Sequence, residues 1–353
     1  MITNIRLQNF RSYKDFSFEF EDGANIIVGP NASGKTNLLE AVMVLAQGSS
    51  YRAKNAQLIK HGCPWARLDG YFKNQNRTIK LEGDPDNPTK TLFIDDKPHK
   101  RLGLEQTLPL VYFEPEHLQS ITRGPDRRRD YFDDILVRTR AGYRQTLNAY
   151  NRSLSQRNSL LKKGRSIAST QVFAWNIRLG ELGSQIVSAR EDITNQLNDR
   201  LRSVYGKIAG KRTKATVVYS PQFPSENYAS RLISALEKSL DLDLDRGFTG
   251  SGPHRDDYLL AISDKPLAEH ASRGEIRSLL LSLKKLELEM VEQTRGQKPI
   301  LLLDDVLSEL DGARRQALVE MLSDHQSILT TTDADTVLDY FASGSHKILA
   351  LTK

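Results

Sequence analysis

The eight residues Gly29-Pro30-Asn31-Ala32-Ser33-Gly34-Lys35-Thr36 satisfy the pattern G-x-x-x-x-G-K-[ST] at every position, and no other feature constrains this chain as much. The pattern has a mechanism only between a strand and a helix. Residues 24–28 read as a short buried strand, and after Gly34 the apolar residues Leu38, Leu39, Val42, Met43 and Leu45 recur at helical spacing. In that setting the glycines let the backbone wrap a phosphate. The loop N–H groups and the helix N-terminus face its negative charge. Lys35 would reach the β- and γ-phosphates, and Thr36 would offer its hydroxyl to Mg²⁺. The loop predicts a site for ATP or GTP.

A second motif fits the same chemistry. Ile300-Leu301-Leu302-Leu303-Asp304-Asp305 is an apolar strand ending in two carboxylates. A buried parallel strand delivers its last residues to the sheet edge that carries the phosphate loop. Asp304 would hold Mg²⁺, and Asp305 would orient or activate the attacking water. Thr36 and Asp304 stand 268 residues apart. A compact small-metabolite kinase has no room for that much chain between the motifs, whereas an ATPase domain split by an insertion has.

The intervening sequence reads as that insertion. Phe16, Phe18 and Phe20 alternate with polar residues as in a half-buried strand, and residues 65–113 hold four short β segments separated by turn clusters, an antiparallel addition to the main sheet. Residues from about 125 to 240 carry helical periodicity in two runs flanking Lys163-Gly164-Arg165-Ser166, as two antiparallel helices would. Strand and helix signals return with residues 258–262, a helix over 274–294, and strands at 300–303 and 327–331. The predicted divisions are therefore 1–124 and 246–353 for the two halves of a nucleotide-binding head, with 125–245 a helical lobe.

Composition removes other classes. Cys63 is the single cysteine, which excludes a disulfide framework or a thiolate zinc site and suits a reducing compartment. No stretch reads as a signal peptide or a membrane span, so a cytoplasmic protein is expected. The net charge of +6, from 50 basic and 44 acidic residues, permits a polyanionic partner without requiring one.

Four stretches together resemble the RecF family of the ABC/SMC ATPase group: Ile5-Arg6-Leu7-Gln8-Asn9-Phe10-Arg11-Ser12-Tyr13; the phosphate loop continuing through Asn37-Leu38-Leu39-Glu40-Ala41; Gly252-Pro253-His254-Arg255-Asp256-Asp257; and Leu302 to Asp311. The resemblance runs the length of the chain in order. It implies an α/β fold, an ABC-type P-loop ATPase head with an antiparallel β addition and a helical insertion lobe. It also implies an ATP- and Mg²⁺-dependent homodimer with slow hydrolysis. Each nucleotide would lie between one phosphate loop and the partner copy's signature loop, here Ser272-Arg273-Gly274-Glu275-Ile276-Arg277, with Ser272 and the Gly274 amide on the γ-phosphate. Arg273, Glu275 and Ile276 replace three glutamines usual in the family, and Ala32 replaces a usual glycine. The segment Ser308 to Asp311 matches a dimer-interface loop, and the switch that senses the γ-phosphate falls at Thr331 or Thr332, before Asp333. Glu114 and Glu116 are the nearest counterparts of a glutamine that bridges Mg²⁺.

The resemblance further implies binding to gapped or single-strand/duplex DNA, work with RecO and RecR in loading RecA, and a link to the SOS response. Basic groups that could meet a phosphate backbone are Arg127 and Arg128 within Arg123–Arg129, the tip residues Lys162, Lys163 and Arg165, and Lys207, Lys211, Arg212 and Lys214. No aromatic stacking module interleaves them, which favours backbone contact over base readout. The alternatives are an SMC-like or ABC-type ATPase with another substrate. A transporter subunit fits poorly with the helical insertion and the missing switch histidine, and the lobe is too short for a structural coiled-coil arm.

Overall fold

A computed structural model of the chain describes residues 1–84, 86–211, 213–332 and 346–351, without the side chains of residues 165–170. Its internal contacts separate two units, Met1–Glu116 with Glu287–Lys353, and His117–Leu286.

In the first unit a five-stranded parallel sheet has the order β14-β3-β13-β12-β8, formed by His346–Ala350, Ala24–Val28, Ser327–Thr331, Ile300–Asp304 and Leu110–Phe113. Parallel strands covered on both faces must be apolar throughout. Accordingly Leu301, Leu302 and Leu303 are all buried, as are Ile26, Ile27, Ile328 and Leu329. The parallel register aligns Thr331 with Val28 and Thr330 with Asp304, so the ends of β3, β13 and β12 lie level at one edge. The strand expected at residues 108–113 is β8, but it pairs in parallel with β12 and belongs to this sheet, not to the antiparallel addition.

The antiparallel sheet runs β2-β1-β4-β5-β6-β7, from Tyr13–Glu19, Ile2–Phe10, Trp65–Phe72, Gln75–Glu82, Thr89–Ile94 and Lys97–His99. Period-two burial holds in β1, where Ile5 and Leu7 are buried and Arg6 between them is exposed. Phe18 and Phe20 are buried as the alternation predicts, but Phe16 is 51% exposed and lies edge-on to Tyr13 near the turn between β1 and β2. The phosphate-loop helix, Lys35–Gln47, is almost wholly buried. Its last carbonyls, those of Leu45 and Ala46, accept from the buried guanidinium of Arg77 on β5 at 3.1 and 2.9 Å. Those carbonyls have no partner within the helix, so a buried donor there fixes where the helix ends.

The second unit is built on two antiparallel helices, Tyr143–Leu161 and Arg165–Ala209. Thr146 bonds Gln185 and Arg157 bonds Asn176, so one position rises as the other falls. Beside them lies a three-stranded antiparallel sheet in the order β11-β10-β9, from Lys265–Pro266, Asp257–Ile262 and Ala215–Ser220. From sequence, 258–262 is expected in the head and 215–220 within a helical stretch. The two pair with each other, Tyr258 opposite Tyr219, and both fall within His117–Leu286.

The Gly-Pro-His-Arg-Asp-Asp segment is the polar hub of this unit. Gly252 has φ +130°, and a Cβ there would meet the Tyr150 hydroxyl at 2.5 Å, so only glycine fits. The Pro253 carbonyl accepts from Arg190 at 2.7 Å, and Arg190 also pairs in bidentate fashion with Asp133 at 2.8 and 2.9 Å. Asp256 accepts from the Tyr219 hydroxyl and from the Gln222 N–H. Removing one partner from such a buried pair typically costs about 3–5 kcal/mol, because the other charge stays buried alone. His254 lies between the Tyr150 hydroxyl, 2.8 Å from Nδ1, and the Thr249 carbonyl, 3.1 Å from Nε2. A neutral ring donating from Nε2 and accepting at Nδ1 satisfies both.

Burial, only partly offset by the Thr249 carbonyl, pulls the His254 pKa down to about 4, and Arg255 pushes it the same way. Between the ordinary histidine value and about pH 4 the unfolded chain therefore binds a proton that the folded chain refuses. Stability from this group is complete above pH ~6.5 and declines as pH falls through that window, by roughly 3 kcal/mol. Thermal melts from pH 7 to pH 4.5 should fall more steeply for the native protein than for His254→Gln; equal slopes would rule out the assignment.

Candidate nucleotide site and signature loop

The phosphate loop leaves β3 at Val28 and enters its helix at Lys35. Gly34 has φ +102°, and a Cβ there would come within 2.9 Å of Ser12 Oγ and 3.0 Å of the Tyr13 hydroxyl. The Tyr13 hydroxyl donates to the Gly34 carbonyl at 3.0 Å, so the Asn9–Tyr13 stretch buttresses the loop. Ala32 holds φ 65°, a left-handed conformation that a side chain adopts at a cost of about 1 kcal/mol or more. Lys35 is buried, and its ammonium donates to the carbonyls of Gly29 at 2.6 Å and Pro30 at 3.0 Å.

The sheet register brings the two carboxylates to this loop. Thr36 Oγ1 donates to Asp304 Oδ1 at 3.1 Å, which unites residues far apart in sequence. Thr330, at the matching level of β13, donates to the same Oδ1 at 2.7 Å and accepts the Asp305 N–H at 3.0 Å. The expected γ-phosphate switch, Thr331 or Thr332, follows Thr330 directly in sequence. Asp333 lies outside the described residues. Asp305 has φ 49°, and its Oδ1 is buried with no hydrogen-bond partner. Burial pushes its carboxyl above the ordinary carboxylate range; Lys35 opposes the shift and Asp304 adds to it. Ser33 Oγ, in the loop itself, is likewise buried with no partner. Unsatisfied buried polar atoms are uncommon and need a reason. A triphosphate with a divalent cation fits this set, which joins loop amides and an ammonium to a hydroxyl and two carboxylates.

Two further clusters surround the loop. Glu40, fully buried, accepts from Arg11 at 2.8 and 2.9 Å, from Arg52 at 3.0 Å and from Ser50 at 2.6 Å, which anchors the second turn of the phosphate-loop helix. Glu114 follows β8, next to the end of β12. Its Oε2 lies 2.9 Å from the Tyr112 hydroxyl and 3.2 Å from that of Tyr51, and the two hydroxyls are 2.6 Å apart. Burial pushes the Glu114 carboxyl up, with Asp304 among the charges adding to the shift. Tyr51 carries no motif signal, and only the fold reveals its part in this cluster.

In the second unit Ser272 and Gly274 open the helix Arg273–Arg295. Of the basic candidates there, Arg127, Lys162 and Lys163 are exposed. Arg128 is committed to Asp257 at 2.7 and 2.8 Å and is 14% exposed, so it is a weaker surface cation than the sequence suggests. The side chain of Arg165, and Arg212 altogether, lie outside the described residues.

A model of the RecF/RecN/SMC N terminal domain matches residues 1–343. Over 94% of its length the chain is 34% identical to the DNA replication and repair protein RecF of Desulfitobacterium hafniense, covering 93% of that protein. The chain belongs to the RecF family. The RecF of Tropheryma whipplei is 36% identical over 94% of this chain and 92% of its own length. Among solved structures, "the recombination mediator protein RecF-ATPrS in RecFOR pathway" superposes with a TM-score of 0.86 at 31% identity, covering 95% of this chain and 93% of that one. An Smc head bound to part of ScpA matches with a TM-score of 0.55 at 16% identity over 99% and 93% of the two chains, a likeness of fold alone. The α/β head architecture expected for a RecF-family member is thus the one this chain has. Among its described residues no helix is long and apolar enough to cross a membrane.

Proposed function

We propose that this chain is an ATP-dependent DNA-binding protein of replication and recombinational repair, working in the cytoplasm as a homodimer that closes on ATP. The observation that carries the reading is the bonded series Thr36–Asp304–Thr330–Asp305 at the mouth of the phosphate loop. In this reading the amides of Gly29 to Thr36 hold the phosphates and Lys35 turns onto the β- and γ-oxygens. Thr36 and Asp304 would hold Mg²⁺, which would supply charge to offset that developing on the transferred phosphoryl group. Asp305 orients the attacking water and accepts its proton. Ser272 and the Gly274 amide complete the site in the partner copy, and slow hydrolysis resets the dimer.

The relatives' names support DNA replication and repair, and the RecF structure with an ATP analogue supports nucleotide binding. The finer account is that of the family. The ATP dimer sits at gapped or single-strand/duplex DNA and helps RecO and RecR load RecA, which feeds SOS induction.

The DNA step predicts a measurable salt dependence. Anisotropy titrations of a labelled gapped duplex should show at least roughly tenfold tighter binding with ATP than with ADP, if closure creates the DNA surface. Neutralising Lys162 and Lys163 together should weaken binding and lower the slope of log K against log salt by roughly two, one per lost phosphate contact. Equal affinity with ATP and ADP would contradict the clamp, and an unchanged slope would remove the helical tip from the interface.

A further inference from the structure

The signature loop departs from its family at Glu275, and the structure shows what that side chain does. Ser272 is exposed and Glu275 half-buried. Glu275 Oε2 accepts the Ser272 N–H at 2.9 Å and the Ser272 hydroxyl at 2.8 Å, while the Glu275 N–H donates to Ser272 Oγ at 3.3 Å. This is a capping box, the reciprocal bond pair that satisfies two free donors at the start of a helix. It also commits the only proton of the Ser272 hydroxyl to a carboxylate.

We propose that Glu275 is a positioning residue that competes with the γ-phosphate for the Ser272 hydroxyl, so that two ATP-loaded copies can associate only once the carboxylate has left it. The proposal rests on Ser272 being the contact made to the partner's nucleotide. A γ-phosphate oxygen and Glu275 Oε2 are both anionic acceptors, and one hydroxyl proton cannot serve both. They also repel each other. A glutamine at this position would keep the cap through its amide oxygen and carry no charge. The chain thus couples the order of its own signature helix to a barrier against premature closure.

A repulsion between unit charges about 4 Å apart in water-like surroundings is worth roughly fivefold in an equilibrium constant. A twofold dimer has two such contacts, so Glu275→Gln should tighten ATP-driven dimerisation on the order of twentyfold. Sedimentation of the full chain with a non-hydrolysable ATP analogue, with ADP, and at low and high salt measures this directly. The expected result is a gain with the analogue only, shrinking at high salt, with the melting temperature of the native protein retained. Glu275→Ala should also lose the cap, and its melting temperature should drop. A gain that is equal with ADP, or no gain at all, overturns the proposal. Ser272→Ala separates the two levels. If it still dimerises as the native chain does, the Ser272 reading fails and the proposal falls with it. If it blocks the dimer while Glu275→Gln brings no gain, only the proposal fails.

Discussion

Replacing Asp305 by Asn should slow ATP hydrolysis by at least about 10²-fold and leave ATP affinity within a few fold, because a positioned general base contributes about 10²–10⁴ to a rate and little to ground-state binding. Asp305 follows β12 directly, its N–H is held by Thr330, and its Oδ1 is buried with no partner. A carboxylate raised above its ordinary range by burial is a better proton acceptor near neutral pH than an exposed one. As pH falls through the raised value the carboxyl takes up a proton, so native turnover declines at a higher pH than an ordinary aspartate would give. The residual turnover of Asp305→Asn should lack that acid limb. Asparagine also tolerates the φ of 49° at this site, so a folding defect is not expected, whereas alanine would add strain. Turnover within threefold of native would remove Asp305 from the chemistry.

The second large effect belongs to Lys35. Its ammonium is buried at the loop and already bonds two loop carbonyls, so it is held where a phosphate oxygen would lie within its reach. Charge-assisted hydrogen bonds are worth about 1.5–3 kcal/mol each, and Lys35→Ala should weaken ATP binding on the order of 10²-fold by calorimetry with Mg²⁺ present. ADP should lose less, since it lacks the γ-oxygens. Affinity within threefold of native for both nucleotides would mean that the loop does not hold the phosphates.

The parts of the site that are legible in the sequence are those where backbone geometry dictates residue type. Gly34 must be glycine at φ +102° with Ser12 and Tyr13 against it, and β12 must be apolar because both of its faces are buried. Pairing leaves a fainter trace. Leu110–Phe113 reads as a strand, but a short apolar run does not say which sheet takes it. Residues 215–220 alternate correctly for a strand, yet six residues between helices are easily absorbed into them. Contacts distant in sequence leave no local mark at all. Arg128 looks like part of an arginine run until Asp257 is found against it, and nothing about Thr330 distinguishes its hydroxyl from those of Thr331 and Thr332 before the register aligns it with Asp304. The charge of +6 was equally silent about place, since some of the arginines are spent inside the units, on pairs such as Arg157–Asp243 and Arg190–Asp133.

If, as proposed, ATP at this loop joins two copies of the chain, blocking hydrolysis should trap the joined form. Sedimentation velocity of Asp305→Asn, with and without ATP and Mg²⁺, tests it most directly. A monomer is expected without nucleotide and with ADP, and with ATP a stable dimer that adding Lys35→Ala abolishes. A variant that binds ATP yet stays monomeric at high concentration would contradict it.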